Sequence, residues 1–187
     1  YNYMSIDRQS GSSPIKWFFK SFYLSNRFFF TLALCVLGYF VSYIFEASLF
    51  IMTVVMSVLA VFLLLDTVSL YRQTRGIQAF RNCPERLSNG DVNTISLSVS
   101  NKYPFRVAIK IIEEVPFQFQ KRDLTFSTSI GVRKSEVLYY DLRPTERGVY
   151  QFGAINVYVA GLLGLVTRRY IFDENKDVAV YPSFLEM

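Results

Sequence analysis

The chain has no histidine and only two cysteines. Without histidine, Ser–His and Cys–His catalysis, most catalytic zinc sites and imidazole pH switches are excluded. Cys35 lies inside an apolar run and Cys83 well beyond it, so the two read as free thiols at different depths. No CxxC metal pair occurs, and Gly161-x-x-Gly164 lacks the Lys-Ser/Thr of a phosphate loop. Glu113-Glu114 and Asp173-Glu174 are adjacent carboxylates. Neighbours on a strand point to opposite faces, so neither pair converges as a general acid and base would, and both read as solvated edges or turns. The basic pairs Lys121-Arg122, Arg133-Lys134 and Arg168-Arg169 read as solvated surface. No catalytic, cofactor-binding or metal-binding residue emerges, and the chain reads as a non-enzyme.

The N-terminal third lacks charge. Phe28–Phe45 and Leu49–Leu65 contain no charged side chain and are separated only by Glu46-Ala47-Ser48. At 1.5 Å per residue each spans roughly 26 Å, enough for a bilayer core, so together they predict a transmembrane helical hairpin. The first run is longer than a signal-peptide core and ends at no small-x-small cleavage site. Between Arg27 and Arg72 there is no lysine or arginine, whereas Lys16, Lys20 and Arg27 precede the hairpin and Arg72, Arg75, Arg81 and Arg86 follow it. That asymmetry predicts two spans of a bacterial inner membrane, both termini cytoplasmic and the Glu46 turn outside. Asp66, ending the second run, reads as a solvated interface position. The net charge of +5 reads as juxtamembrane cations facing anionic lipid, and no nucleic-acid partner is inferred.

Residues 1–13 are polar and small and read as disordered. Residues 14–27 read as an interfacial amphipathic segment, with Ile15, Phe18, Phe19 and Phe22 on one face and Lys16 and Lys20 on another. The alternative is that this segment extends the first transmembrane helix. Lys16, Trp17, Lys20, Arg27 and Arg72 are the expected membrane-interface residues. The hairpin occupies 28–71.

Residues 72–187 read as one domain, in which the pattern alternates from about Gly76. Thr94–Ser100 places Ile95, Leu97 and Val99 on one face, and Val107, Ile109 and Ile111 repeat the period. Further strands are expected at Leu124–Thr128, Glu136–Asp141, Val149–Val159, Val166–Phe172 and Val178–Tyr181, separated by turns at Ser88–Asp91, Asn101–Pro104, Arg143–Gly148 and Asp173–Asp177. Gly153 reads as a bulge or bend in a long strand. Seven or eight short strands predict a cytoplasmic, immunoglobulin-like antiparallel β-sandwich. The fold class is therefore membrane-anchored all-β. Gly161–Leu165 reads as a turn packed against the sandwich, with a contact patch facing membrane or partner as its alternative.

Three stretches taken together carry a family resemblance: Leu87-Ser88-Asn89-Gly90-Asp91; Arg143-Pro144-Thr145-Glu146-Arg147-Gly148-Val149-Tyr150-Gln151-Phe152-Gly153; and Gly164-Leu165-Val166 with Val180-Tyr181-Pro182. With the preceding hairpin, the chain resembles the N-terminal half of the "domain of unknown function 58" family of bacterial membrane proteins. The resemblance implies a membrane-anchored scaffold or adaptor working with a MoxR-type AAA+ ATPase and von Willebrand A-domain proteins in assembly or stress tolerance of envelope complexes. Family members continue past the Tyr-Pro segment into a von Willebrand A-like domain. This sequence ends at Met187, where that would begin, and has no Asp-x-Ser-x-Ser motif, so metal-ion adhesion chemistry is not carried over. Arg143, Arg147 and Tyr150 are the expected partner contacts. The alternative function is an accessory transmembrane subunit of a transport or envelope-biogenesis machine, whose hairpin carries the association.

Overall fold

A computed structural model describes residues 14–45, 49–119, 124–172 and 176–182, with backbone alone at 14–17 and 117. The expected disorder of 1–13, the Glu46 turn, Lys121-Arg122 and Asp173-Glu174 lie outside these residues. So do the side chains of Lys16 and Trp17.

Helix α1 (Pro14–Ser21) ends in a three-residue strand, β1 (Phe22–Leu24), before α2 (Asn26–Ile44) begins. The N-terminal segment is therefore a separate helix and not an extension of the first apolar one. Ser25 caps α2: its backbone is extended, and its hydroxyl accepts from the Arg27 amide. Helix α3 (Leu49–Tyr71) returns alongside α2, held by a Tyr39–Thr53 hydroxyl hydrogen bond of 2.8 Å. At 1.5 Å per residue the two helices are about 28 and 34 Å long. Both are long and apolar enough to cross a membrane, and most of their residues are exposed, with few buried. Helix α3 runs six residues past the uncharged stretch, and those last turns contain Asp66 and Leu70, both buried.

The rest is a β-sandwich. One layer has strand order β1-β10-β9-β5-β6, and the facing layer β2-β4-β7. The strands are β2 (Ile77–Asn82), β4 (Asn93–Asn101), β5 (Val107–Glu113), β6 (Leu124–Ile130), β7 (Ser135–Leu142), β9 (Ile155–Ala160) and β10 (Val166–Phe172). Alternation drives the assembly: Ile95, Leu97 and Val99 from β4 face Val107, Ile109 and Ile111 from β5, and all are buried. A further sheet, β3-β11-β8, extends the sandwich away from the helices. It comprises β3 (Arg86–Ser88), β8 (Gly148–Phe152) and β11 (Lys176–Tyr181). Here β11 pairs with β3 in parallel, a departure from the all-antiparallel expectation.

The expected strand Val149–Val159 is two strands. The break is at Gly153, whose amide donates to Glu114 O while Arg81 Nη2 donates to the Gly153 carbonyl. Three strands were not individually expected: β1, inside the segment read as an interfacial helix, β2, where alternation begins, and β3, beside the Ser88–Asp91 turn. Cys35 and Cys83 are unpaired, as expected.

Two buried charges bridge the layers. Arg81 continues the inward phase of Ile77 and Ala79, and Glu113 that of Ile109 and Ile111. They meet as an ion pair with both side chains essentially inaccessible. Tyr140 donates to Glu113, and the Arg81 guanidinium lies 4.8 Å from the Phe152 ring centroid. Glu113 is thus not a solvated carboxylate, although Glu114 does point outward as the adjacency rule requires.

Candidate functional site

The most constrained chemistry lies where α3 enters the sandwich. Asp66 is 1% exposed and its carboxylate accepts three backbone amides of the β9–β10 turn. Leu163 N donates to Oδ1 at 2.8 Å, and Leu165 N and Val166 N donate to Oδ2 at 2.8 and 2.9 Å. Successive amides converging on one carboxylate form an anion cradle and replace its hydration. Gly161 is required beside it, because a Cβ there would collide with the carboxylate. The same turn grips α2: Ser25 N donates to Leu165 O at 2.9 Å, and the Arg27 guanidinium packs on Gly164. Asp66 was expected to be solvated; the turn amides take the place of water.

One turn further along α3, Arg168 does the converse. It is also 1% exposed, on β10. Its Nη1 donates to Leu70 O and Gln73 O at 2.7 and 2.8 Å, and its Nη2 to Thr74 O at 3.1 Å. Leu70 lies in the last turn of α3, where carbonyls lack an intrahelical partner, and Gln73 and Thr74 lie just beyond it, so the guanidinium sits at the negative end of the helix dipole. The rings of Tyr71 and Tyr170 flank it at 4.6 and 4.5 Å. Tyr103 completes the joint: its hydroxyl donates to Leu70 O at 2.9 Å and lies 2.6 Å from the Tyr170 hydroxyl. Burial pushes both phenols well above the ordinary value, with Arg168 pulling the other way. Gly76 is packed against the Tyr103 ring so closely that any side chain would collide with it. Ser21 of α1 hydrogen-bonds Tyr71 at 3.0 Å, and β1 pairs with β10 over Phe22–Leu24.

Three elements of the hairpin region are thereby fastened to the sandwich by buried polar bonds. The arrangement is mechanical: Asp66 and Arg168 both bond to main-chain groups and are almost wholly buried. Among the described residues, no group of three or more His, Cys, Asp or Glu is placed to hold a metal ion. A shallow open groove of about 780 Å³ crosses the outer face of the five-stranded sheet between Lys110, Tyr158 and Thr167.

Lys20, Arg27 and Arg72 are exposed near the helix–sandwich junction. Lys16 and Trp17 belong to α1. Arg143, Arg147 and Tyr150 sit at the opposite end, where Leu87–Asp91, Arg143–Gly153 and Val180-Tyr181 come together. Arg143 Nε donates to Gly90 O, Gly90 N to Pro144 O, and Asn89 N to Tyr181 O. Tyr150 corrects its expected role. It is buried, and its hydroxyl donates to Glu146 O at 3.1 Å, a tyrosine-corner contact that serves the fold rather than a partner. Arg143, Arg147 and Val149 are all exposed at this end. The structure adds Asp66 and Arg168, which had been assigned to solvent. The signal for Arg168 was its phase, two residues from both Val166 and Tyr170.

No family model matches this chain, and no curated protein matches it. Solved structures overlap it loosely. The CARDB domain of the PF1109 protein from Pyrococcus furiosus is 19% identical over 56% of this chain and 87% of that one, with a TM-score of 0.39. An α-2-macroglobulin from Escherichia coli is 14% identical over 58% of this chain and 10% of that one, at 0.41. A β-glucosidase from Listeria innocua is 11% identical over 56% and 16%, at 0.31. Overlaps this loose assign neither fold nor function.

Proposed function

We propose that this chain is a non-enzymatic, membrane-anchored scaffold: α2 and α3 span a bacterial inner membrane, and the sandwich is held rigidly at its cytoplasmic face to dock a protein partner. One observation carries the reading. Two helices whose apolar side chains are mostly exposed run into a joint built from buried charges that bond to main-chain groups. Leaving even roughly ten such side chains in water, at about 1.5 kcal/mol each, would forfeit ~15 kcal/mol, the whole stability of an ordinary domain. A bilayer removes that penalty. The absence of Lys and Arg between Arg27 and Arg72 favours the cytoplasmic orientation of the sandwich.

The partner-facing surface in this reading is the far end, the β3-β11-β8 sheet with Arg147 and Val149 exposed. The sequence resemblance to the "domain of unknown function 58" family supports a MoxR-type AAA+ ATPase as that partner. Purification of the native complex in mild detergent, followed by identification of its other chains, tests the proposal. Co-purification of an ATPase that is lost on Arg147→Glu with Val149→Asp supports it, and recovery of a lone monomer across detergents refutes it. In the rival reading, an accessory subunit of an envelope machine, exchange of the hairpin for an unrelated one abolishes association instead.

A further inference from the structure

The β9–β10 turn has a feature the scaffold reading leaves unused. Leu162 and Leu163, at its tip, are 63% and 44% exposed. Exposed leucines on a turn are common, but this turn cannot move away from the helices. Asp66 holds its amides, Ser25 holds the Leu165 carbonyl, and the β1–β10 ladder fixes the strand leaving it.

Its level is set by register. Asp66 lies against Val166, and one turn along α3 the Leu70 carbonyl lies against Arg168. Helix α3 and strand β10 therefore run side by side, away from the hairpin. The residues preceding Val166 reach the other way, toward the apolar part of α3. Exposed Leu64 and Leu65 are the helix residues immediately before Asp66. Phe19 on α1 and Phe29 on α2 are exposed as well, and the cations Lys20 and Arg27 stand beside them. Apolar tips with adjacent cations suit the boundary between acyl chains and headgroups, where a side chain buries about 5–10 Å deep.

We propose that the β9–β10 turn is a third membrane contact: Leu162 and Leu163 insert into the headgroup–acyl boundary of the lipid bilayer beside α3, and Asp66 holds the turn in the pose that presents them. The inference rests on the membrane reading of α2 and α3. It makes the bilayer surface a structural neighbour of the sandwich, fixing the sandwich's tilt at three points.

The test uses the full chain carrying Cys35→Ser, with Cys83 left buried, in nanodiscs of phosphatidylcholine and phosphatidylglycerol. A bimane label is placed in turn at Leu162→Cys, Leu163→Cys, Leu37→Cys and Val149→Cys. Val149 lies on β8, roughly ten residues of extended chain, or about 30 Å, from the turn. Lipids brominated near the headgroup end of the acyl chain should quench Leu162 and Leu163 by at least about half, while Val149 yields only to aqueous iodide. If Leu162 and Leu163 both behave like Val149 while Leu37 is quenched by deeply brominated lipid, the inference fails and the hairpin reading stands. If Leu37 is also unquenched, the membrane reading fails with it. Protection of both leucines from lipid and aqueous quenchers alike also overturns the inference, pointing to protein contact.

Discussion

Removal of the Asp66 carboxylate should open the joint locally. Asp66→Ala leaves the amides of Leu163, Leu165 and Val166 without their acceptor, the Val166 amide in a buried site and the other two partly buried. Hydrogen bonds to a charged group contribute about 1.5–3 kcal/mol each, and bonds sharing one group do not add fully, so we expect ~3–5 kcal/mol in the local opening equilibrium. Asp66→Asn retains one acceptor oxygen. Placed at the Oδ2 position it serves Leu165 and Val166 but turns an NH2 toward the Leu163 amide, an expected loss of about 1–3 kcal/mol. Amide hydrogen exchange in nanodiscs reads this directly. Protection at Leu163, Leu165 and Val166 should fall by about 10² or more in the alanine variant and roughly tenfold in the asparagine variant. Core strand β4 should keep its protection in both. Unchanged protection of these amides in both variants would refute the cradle. An equal loss across β4 would show that Asp66 supports the whole sandwich and not the joint.

Other expectations follow from the buried groups. Arg81→Met alone strands Glu113 in the core and should lower sandwich stability by about 3–5 kcal/mol, whereas Arg81→Met with Glu113→Leu should recover most of it in chemical denaturation; equal losses would contradict the pairing. Cys83 is buried and its thiol is pushed up by desolvation, so it should resist maleimide at neutral pH until the sandwich unfolds. Labelling of the native protein as fast as a free thiol would show that site to be open. Burial raises Tyr103, Tyr140 and Tyr170 above the ordinary phenol value of 10.0. The unfolded chain therefore releases these protons first, and stability should be unaffected below about pH 10 and fall above it. Tyr170→Phe should make that alkaline decline shallower; an unchanged slope would count against the buried Tyr103–Tyr170 pair.

The hairpin and most strands were legible because their signals are periodic and long. Uncharged runs read as helices, and Thr94–Ser100 alternates without error. Strands β1 and β3 were missed because three-residue pieces carry no period, and both exist through pairing with distant partners, β10 and β11. The joint was half legible. The strand period carries a signal that was not used: Arg168 shares the phase of Val166 and Tyr170, and Arg81 that of Ile77 and Ala79. Composition argued otherwise, since arginine pairs are ordinarily solvated. Which carbonyls or carboxylate would satisfy them is a tertiary fact, set by residues 98 positions away for Arg168 and Leu70 and 32 for Arg81 and Glu113. Tyr150 was misassigned for a related reason: a motif with a distinctive sequence can be distinctive because the turn needs it.

Spin labels at Leu37→Cys on α2 and Val149→Cys on β8, measured by double electron–electron resonance in nanodiscs, test most directly whether the sandwich is a rigid extension of a bilayer-embedded hairpin. A single narrow distance distribution is predicted, broadening when Asp66→Ala is added. A broad distribution in the otherwise unaltered chain would mean a sandwich swinging on a tether, and the joint described here would not exist in the membrane.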